Sequence, residues 1–304
     1  MAYIKGYWKE KDNMMKKAKK HTKEMESKFK KEIVASVQAT KIYDSDSFSL
    51  DIPNKLKETF FDILVDDIDT VGAIMKYNNG KTAVLNFASY KNPGGMFLKG
   101  SKAQEECLCH ESFLYNILKG FQKDYYNWNK EHLNKALYTN RDLFSENVMF
   151  FRDNKQLKCD VITCAAPNKA TAQKYYHVSD DENFKILRER IKFVLDIAKD
   201  NDVDTLILGA FGCGVFGQDA NEVASIFKEL IAEMYGCFKV VVFAIPNGRI
   251  GNFEKFKRIF SDCEETSYLY KAGGADSINS LKNESIKRLY FGRKSKLVKI
   301  DITL

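Results

Sequence analysis

The chain has no C-x-x-C pair among its seven cysteines, only four prolines in 304 residues, and no apolar run near the ~20 residues that a membrane-spanning helix needs. An odd cysteine count without paired spacing argues against a disulfide framework and predicts mostly buried thiols in a reducing compartment. The N-terminus, MAYIKGYWKEKDN, lacks the apolar segment of a secretory leader. These absences predict a cytoplasmic protein, or a nuclear one in a eukaryote. Histidine is also scarce, with four in all, and His132 and His177 lie in polar stretches that read as surface. No fixed-period repeat and no low-complexity linker divides the chain.

Charge and apolar content are plentiful. Lys and Arg number 48 against 41 Asp and Glu, giving a net charge of +7 and an isoelectric point near 8.8, a balance that favours polyanionic partners without requiring them. Hydrophobic residues make up 44%, enough for a large core. Residues 5–31 are lysine-dense and nearly free of Gly and Pro, which predicts a helix that is either solvated or a polyanion-binding face. Strands are predicted at 37–43, 70–77, 81–88, 148–152, 159–166, 205–210, 239–245 and 298–304; helices at 56–64, 103–121, 183–200, 221–235 and 252–260. In the 103–121 helix, Cys107, Leu114, Leu118 and Phe121 form one apolar stripe, and in 183–200 Phe184, Leu187, Ile191, Val194, Leu195 and Ala198 share a side. Polar 122–138 reads as a surface excursion. Alternating strands and helices predict an α/β fold with a mostly parallel sheet covered on both faces. The expected organisation is one domain over 1–304, with a core at about 70–262, an N-terminal helical and strand extension over 1–69, and a C-terminal extension over 263–304.

Two glycine loops stand out. The first follows an apolar strand: Asn92-Pro93-Gly94-Gly95 breaks the run KTAVLNFA, and a helix follows that opens with Gln104-Glu105-Glu106. Strand, glycine loop and helix N-terminus read as an anion site. The second, Gly212-Cys213-Gly214-Val215-Phe216-Gly217, repeats the strand, loop and helix order and matches the G-x-G-x-x-G dinucleotide fingerprint literally. The fingerprint's context fails, since the next strand ends at Pro246-Asn247 instead of Asp or Glu, and the loop lies late in the chain. Cys107-x-Cys109-His110 is a poor metal motif, because helix positions i and i+2 face apart. Cys213, between loop glycines and with no histidine predictably near, reads as a small residue facing a ligand instead of a nucleophile.

Pro93-Gly94-Gly95-Met96, a seven-residue spacer and Gln104-Glu105-Glu106 together resemble the signature loop of microbial-type poly(ADP-ribose) glycohydrolases. Leu208 to Gly217 resembles that family's second loop, and the resemblance covers roughly residues 80–260. It implies a macrodomain-like three-layer α/β/α fold with a mixed, mostly parallel central sheet. It also implies hydrolysis of poly(ADP-ribose) to ADP-ribose with no cofactor or metal, and polymer or ADP-ribosylated protein as partner. Nucleic acid would enter only as an ADP-ribosylated substrate. Cleaving a ribosyl bond calls for a carboxylic acid at the leaving oxygen. The family pattern gives that role to Glu106, leaving Glu105 to orient ribose hydroxyls and Gln104 to hold the loop or the ribose. Asn86, Gly94, Gly95, Met96 and Gln104 would meet substrate from the first loop. Gly212, Cys213, Gly214, Val215, Phe216 and Gly217 would do so from the second, with Phe216 as the aromatic on the scissile ribose. Adjacent helix residues point about 100° apart, which predicts separate roles for the two glutamates. Met96 stands where the family has a third glycine, and methionine disfavours φ > 0. That departure leaves open polymer cleavage, cleavage of single ADP-ribose units, and binding without cleavage.

Overall fold

The computed structural model describes residues 2–45, 62–234, 237–248 and 250–261, and three further strands at 266–268, 287–291 and 296–300. The organising strand is β3 (Thr82–Phe87), whose first five residues are all buried. Its side chains alternate between two cores. Ala83 and Leu85 join one cluster with Leu187, Ile191, Val223, Phe227 and Phe256; Val84 joins another with Ala18, Ile33, Ile74, Leu108 and Leu114. A strand apolar on both faces is stable only with helices on each side, which gives three α/β/α layers.

The seven-stranded sheet has the order β1-β4-β5-β3-β6-β7-β2, formed by β1 (Lys41–Asp44), β2 (Asp62–Asp66), β3, β4 (Arg141–Arg152), β5 (Lys155–Cys164), β6 (Thr205–Leu208) and β7 (Val240–Ala244). Its β5-β3-β6-β7-β2 section is parallel, and β1 and β4 pair antiparallel. The mixed, mostly parallel sheet is as expected. Helices α1 (Ala2–Lys28), α2 (Lys30–Ala39), α3 (Thr70–Tyr77), α4 (Gln104–His110) and α5 (Leu114–Leu118) supply one layer; α8 (Asp180–Asp200), α9 (Ala220–Glu233) and α10 (Asn252–Phe260) supply the other. Short α6 (Trp128–Glu131) and α7 (Lys169–Tyr176) lie between β3 and α8 in the chain. A separate antiparallel sheet runs β10 (Lys296–Ile300), β9 (Lys287–Phe291), β8 (Thr266–Tyr268); Ile302 and Leu304 lie outside the described residues.

Several local expectations are corrected. The segment 70–77 is a helix, not a strand, because Asp69 caps it by accepting the Gly72 N–H at 2.7 Å and Val71, Ala73 and Ile74 bury one side. Residues 37–39 continue α2, and only 41–44 form a strand. The helix expected at 56–64 falls partly outside the described residues, and 62–64 belong to β2. The long helix over 103–121 is broken. Ser112 accepts the Leu114 N–H and donates to the Leu108 carbonyl, ending α4, so Cys107 is exposed while Leu114 and Leu118 are buried. Phe184 is likewise exposed on α8. The stretch 122–138 is no surface excursion: Tyr125, Tyr126, Asn129, Leu137 and Tyr138 are buried, the last stacked on Tyr90 at 4.1 Å. Finally, both edge strands come from residues 41–66, which the sequence places in an extension outside the 70–262 core. Edge strands of only four and five residues leave too little pattern to read.

Candidate functional site

Strands β3 and β6 are parallel neighbours, so the loops that follow them emerge at the same edge of the sheet. This is the carboxyl end of the strands, where open α/β sheets place their ligands. The first glycine loop follows β3 and the second follows β6.

In the first loop Gly94 and Gly95 have φ of +64° and +59°. A Cβ on Gly95 would stand 2.6 Å from Glu106 Oε1 and 2.8 Å from Glu105 Oε2. The two carboxylates therefore converge on one glycine despite their 100° separation on α4, and only a residue without a side chain fits between them. The loop's amides are spent on holding them. The Met96 N–H donates to Glu106 Oε1 at 2.7 Å, and the Gly94 N–H faces the Glu105 carboxylate. Gly95 and Phe97 donate to the Asn92 and Gly94 carbonyls. The first loop is a clamp on carboxylates, not the phosphate cradle that its glycines suggest. Met96 itself has φ −105°, so no glycine conformation is required there. Its side chain points outward and is 41% exposed.

The two glutamates differ in their partners. Glu105 Oε2 accepts the Ser89 N–H at 2.8 Å, and Oε1 accepts from Asn86 Nδ2 at 3.3 Å. Burial pushes its carboxyl up to about 8, and the neighbouring Glu106 charge adds to this against the Ser89 and Asn86 hydrogen bonds. Glu106 Oε2, by contrast, is buried without any hydrogen-bond partner. A buried polar oxygen left unpaired is costly, and this one is open to a hydrogen-bond partner from outside the chain. Asn86 Oδ1 is in the same condition.

The second loop is arranged in the opposite way. Among the described residues, the N–H groups of Gly214, Val215 and Phe216 have no acceptor, while Cys213, Gly217 and Gln218 close the turn through the Ala210, Gly214 and Gly212 carbonyls. Three successive free amides make an anion-binding concavity. They line a cavity of about 710 Å³ whose wall includes Phe87, Phe211 and Phe216, and also Gln104 and Cys107 of α4. Glu105 and Glu106, 3% and 5% exposed, stand between the lining residues Gln104 and Cys107 in sequence but do not themselves line the cavity. The N-terminus of α9 is already capped by Asp219, which accepts from Asn221 and Glu222, so the loop amides and not the helix end are available to an anion.

The remaining candidates divide. Gln104 belongs to the scaffold: Oε1 accepts the Phe87 N–H and Nε2 donates to the Leu85 carbonyl, both at 2.8 Å, so α4 is pinned to β3. Cys213 is buried, its Sγ turned to the Phe211 carbonyl and its thiol pushed up to about 12 by burial, and it does not line the cavity. Gly212 and Gly217 are turn residues, both with φ +75°. Gly214 and Val215 are exposed, and Phe216 packs on Tyr138 with its ring at the cavity. His132 and His177 are exposed, the former stacked on Trp128. Cys107 is exposed and Cys109 buried under Gly94; among the described residues no three metal-ligating side chains cluster. Sequence reasoning missed Ser89, whose backbone holds Glu105. It also missed Arg152, fixed at the cavity wall by Glu111 and Asp69. Neither carries a local motif: Ser89 follows β3, and Arg152 ends β4 where Asp69 and Glu111 flank α3 and α4.

The family model described as microbial-type PARG, catalytic domain, matches residues 9–153. A poly(ADP-ribose) glycohydrolase from Deinococcus radiodurans in complex with ADP-ribose is 32% identical, with a TM-score of 0.66 over 76% of this chain and 97% of that one. A poly(ADP-ribose) glycohydrolase from Thermomonospora curvata is 27% identical, with a TM-score of 0.72 over 82% of this chain and all of that one. The Thermomonospora protein bound to the inhibitor ADP-HPD gives 28% and 0.71 over 81% and 99%. A comparison with curated proteins finds no match.

Proposed function

The chain belongs to the microbial-type poly(ADP-ribose) glycohydrolases, and from that premise we propose that Glu106 is the residue through which it hydrolyses ribose-ribose bonds at polymer ends and releases ADP-ribose. The observation that carries this assignment is the unpartnered, buried Oε2 of Glu106, on the helix turn whose Gln104 and Cys107 line the cavity that also takes the free amides of the second loop. The diphosphate of the terminal unit takes the Gly214, Val215 and Phe216 amides, and the Phe216 ring covers the scissile ribose. Glu106 Oε2 gives its proton to the leaving ribose oxygen as the glycosidic bond breaks. It then takes a proton from the water whose oxygen bonds to the anomeric carbon.

Glu105, held by Ser89 and Asn86, orients the ribose hydroxyls. Its carboxyl keeps a proton to about pH 8. The bound diphosphate, two negative charges close by, favours that protonated state further. Reading the chain, 1–304, as one catalytic domain is supported by both glycine loops following strands of one sheet. A cytoplasmic location fits a protein whose described cysteines are free thiols.

The test is release of free ADP-ribose from poly(ADP-ribose) by wild type and Glu106→Gln, with ADP-ribose binding measured calorimetrically for both. Turnover should fall by about 10²–10⁴-fold in the variant while binding persists. Equal turnover in the two proteins would remove Glu106 from the chemistry. Binding without turnover in wild type would turn the reading toward single ADP-ribose units on protein or nucleic acid, or toward a reader.

A further inference from the structure

Between the two glycine loops the chain passes through a strained turn that the chemistry above does not use. Asn134, Lys135, Ala136 and Tyr138 have φ of +43°, +53°, +66° and +64°, so four of five successive residues with side chains stand in the left-handed region. Such residues rarely adopt it, and they hold it only where their surroundings fix them. Here the fixing is dense. The Tyr138 N–H donates to the Leu133 carbonyl at 3.1 Å, and Asn134 Nδ2 donates to the Tyr138 carbonyl at 3.0 Å. Buried Arg190 donates to Asn140 Oδ1 at 2.6 Å and to the Leu137 carbonyl at 3.3 Å.

The turn places the Tyr138 ring between both loops. The ring stacks on Tyr90 with centroids 4.1 Å and planes 13° apart, and it meets Phe216 edge-on at 6.3 Å. Tyr90 follows Ser89, whose N–H holds Glu105. The same stretch grips Tyr90 twice more: Asn129 Nδ2 donates to its carbonyl, and its hydroxyl donates to the His132 carbonyl, both at 2.9 Å. On the Phe216 side, the Ala136 carbonyl accepts the Asn168 N–H at 3.0 Å, Asn168 caps α7, and the Ala170 N–H of α7 donates to the Phe216 carbonyl at 3.1 Å. Filling a core requires no left-handed turn, because hydrophobic burial has no direction of its own.

We propose that Tyr138 is a positioning residue for the reaction, tying the first loop to the second and setting the Phe216 ring against the scissile ribose, a proposal that rests on the function put forward above. Tyr138 does not line the cavity, so it acts through Phe216. The second loop closes through the Ala210, Gly214 and Gly212 carbonyls without Tyr138, so its free amides keep their hold on the diphosphate when the tie is cut. Loss of the tie therefore falls on kcat and leaves binding in place.

The experiment is a double-mutant cycle on the full chain: wild type, Tyr138→Leu, Phe216→Leu and the two together. Values of kcat and KM on poly(ADP-ribose) are counted per ADP-ribose site found by calorimetry, so that unfolded material drops out. Tyr138→Leu should lower kcat about tenfold, with KM and ADP-ribose affinity within about threefold of wild type. Tyr138→Phe keeps both ring contacts and should hold kcat within about threefold of wild type. The double variant should be no slower than Phe216→Leu alone, the non-additivity of two residues acting in series. Losses that multiply in the double variant overturn the proposal, as does a Tyr138→Leu protein with wild-type kcat or a loss in Tyr138→Phe as large as in Tyr138→Leu. Should Tyr138→Leu not fold, Tyr138→Met takes its place in the cycle, and a tenfold loss in Tyr138→Phe still overturns the tie. A Phe216→Leu protein with wild-type kcat removes Phe216 as the point of action and sinks the proposal while the Glu106 reading stands. A wild type that neither binds nor releases ADP-ribose sinks the function itself, and the tie with it.

Discussion

The two glycine loops look alike as sequence and do opposite jobs. Each follows a parallel strand, contains two glycines at positive φ, and leads into a helix. The first turns its amides inward onto Glu105 and Glu106; the second leaves three successive amides without an acceptor beside the cavity. One loop holds the acids and the other keeps its amides open to an anion. The difference comes from what lies beneath. Under the first loop, α4 presents two carboxylates in its first turn, and under the second, Asp219 caps α9 and leaves the loop amides untouched. A glycine loop thus shows where backbone approaches closely, while its neighbours decide what is approached.

The contrast breaks most visibly at the glycines. In Gly95→Ala the new methyl meets both carboxylates at a positive φ, so turnover should fall about 100-fold through misplaced acids. In Gly214→Ala the methyl meets nothing within 4 Å, so stability should stay within about 0.5 kcal/mol and only ADP-ribose affinity should weaken. Steady-state kinetics, urea unfolding and calorimetry on the two variants check the pair.

A smaller effect separates the inward loop from the outward one by pH. The folded-state value for Glu105, about 8, lies above its ordinary 4.5, and Asp142 is likewise raised by burial to about 7. Between these limits the folded chain keeps protons that the unfolded chain has lost, so stability falls as pH rises from about 5 to 8. Each group contributes a slope of up to about 1.4 kcal/mol per pH unit. Glu105→Gln should flatten the curve and leave the Asp142 part, which urea unfolding across that range would show. The smallest effect is expected from Met96→Gly. Because Met96 has φ −105°, glycine relieves no strain and should cost about 0.4–1 kcal/mol through the unfolded chain, with turnover unchanged. A rise in turnover would show that the side chain, not the backbone, restrains the site.

Much of the layout was legible beforehand where local pattern dominates. The run Thr82–Phe87, the helix Asn252–Phe260 and the Asp180–Asp200 helix are apolar at the spacing of their elements, so periodicity located them to within a few residues. Segment 70–77 was misread because Thr, Val and Ile suit a strand, and the cap from Asp69 that makes it helical is one hydrogen bond. The buried tyrosines of 122–138 were misread because polar neighbours hid residues whose partners, Tyr90 and Arg141, lie far along the chain.

By itself the sequence determined the alternation of strands and helices, the two glycine loops and the paired glutamates, because each is written in contiguous residues. The tertiary structure decided which glutamate keeps a free oxygen, which loop keeps free amides, and that Gln104 belongs to the scaffold. Those outcomes depend on hydrogen bonds between segments far apart in the chain, such as Ser89 with Glu105 and Phe87 with Gln104, and each amide or carboxylate oxygen so engaged is no longer open to a ligand.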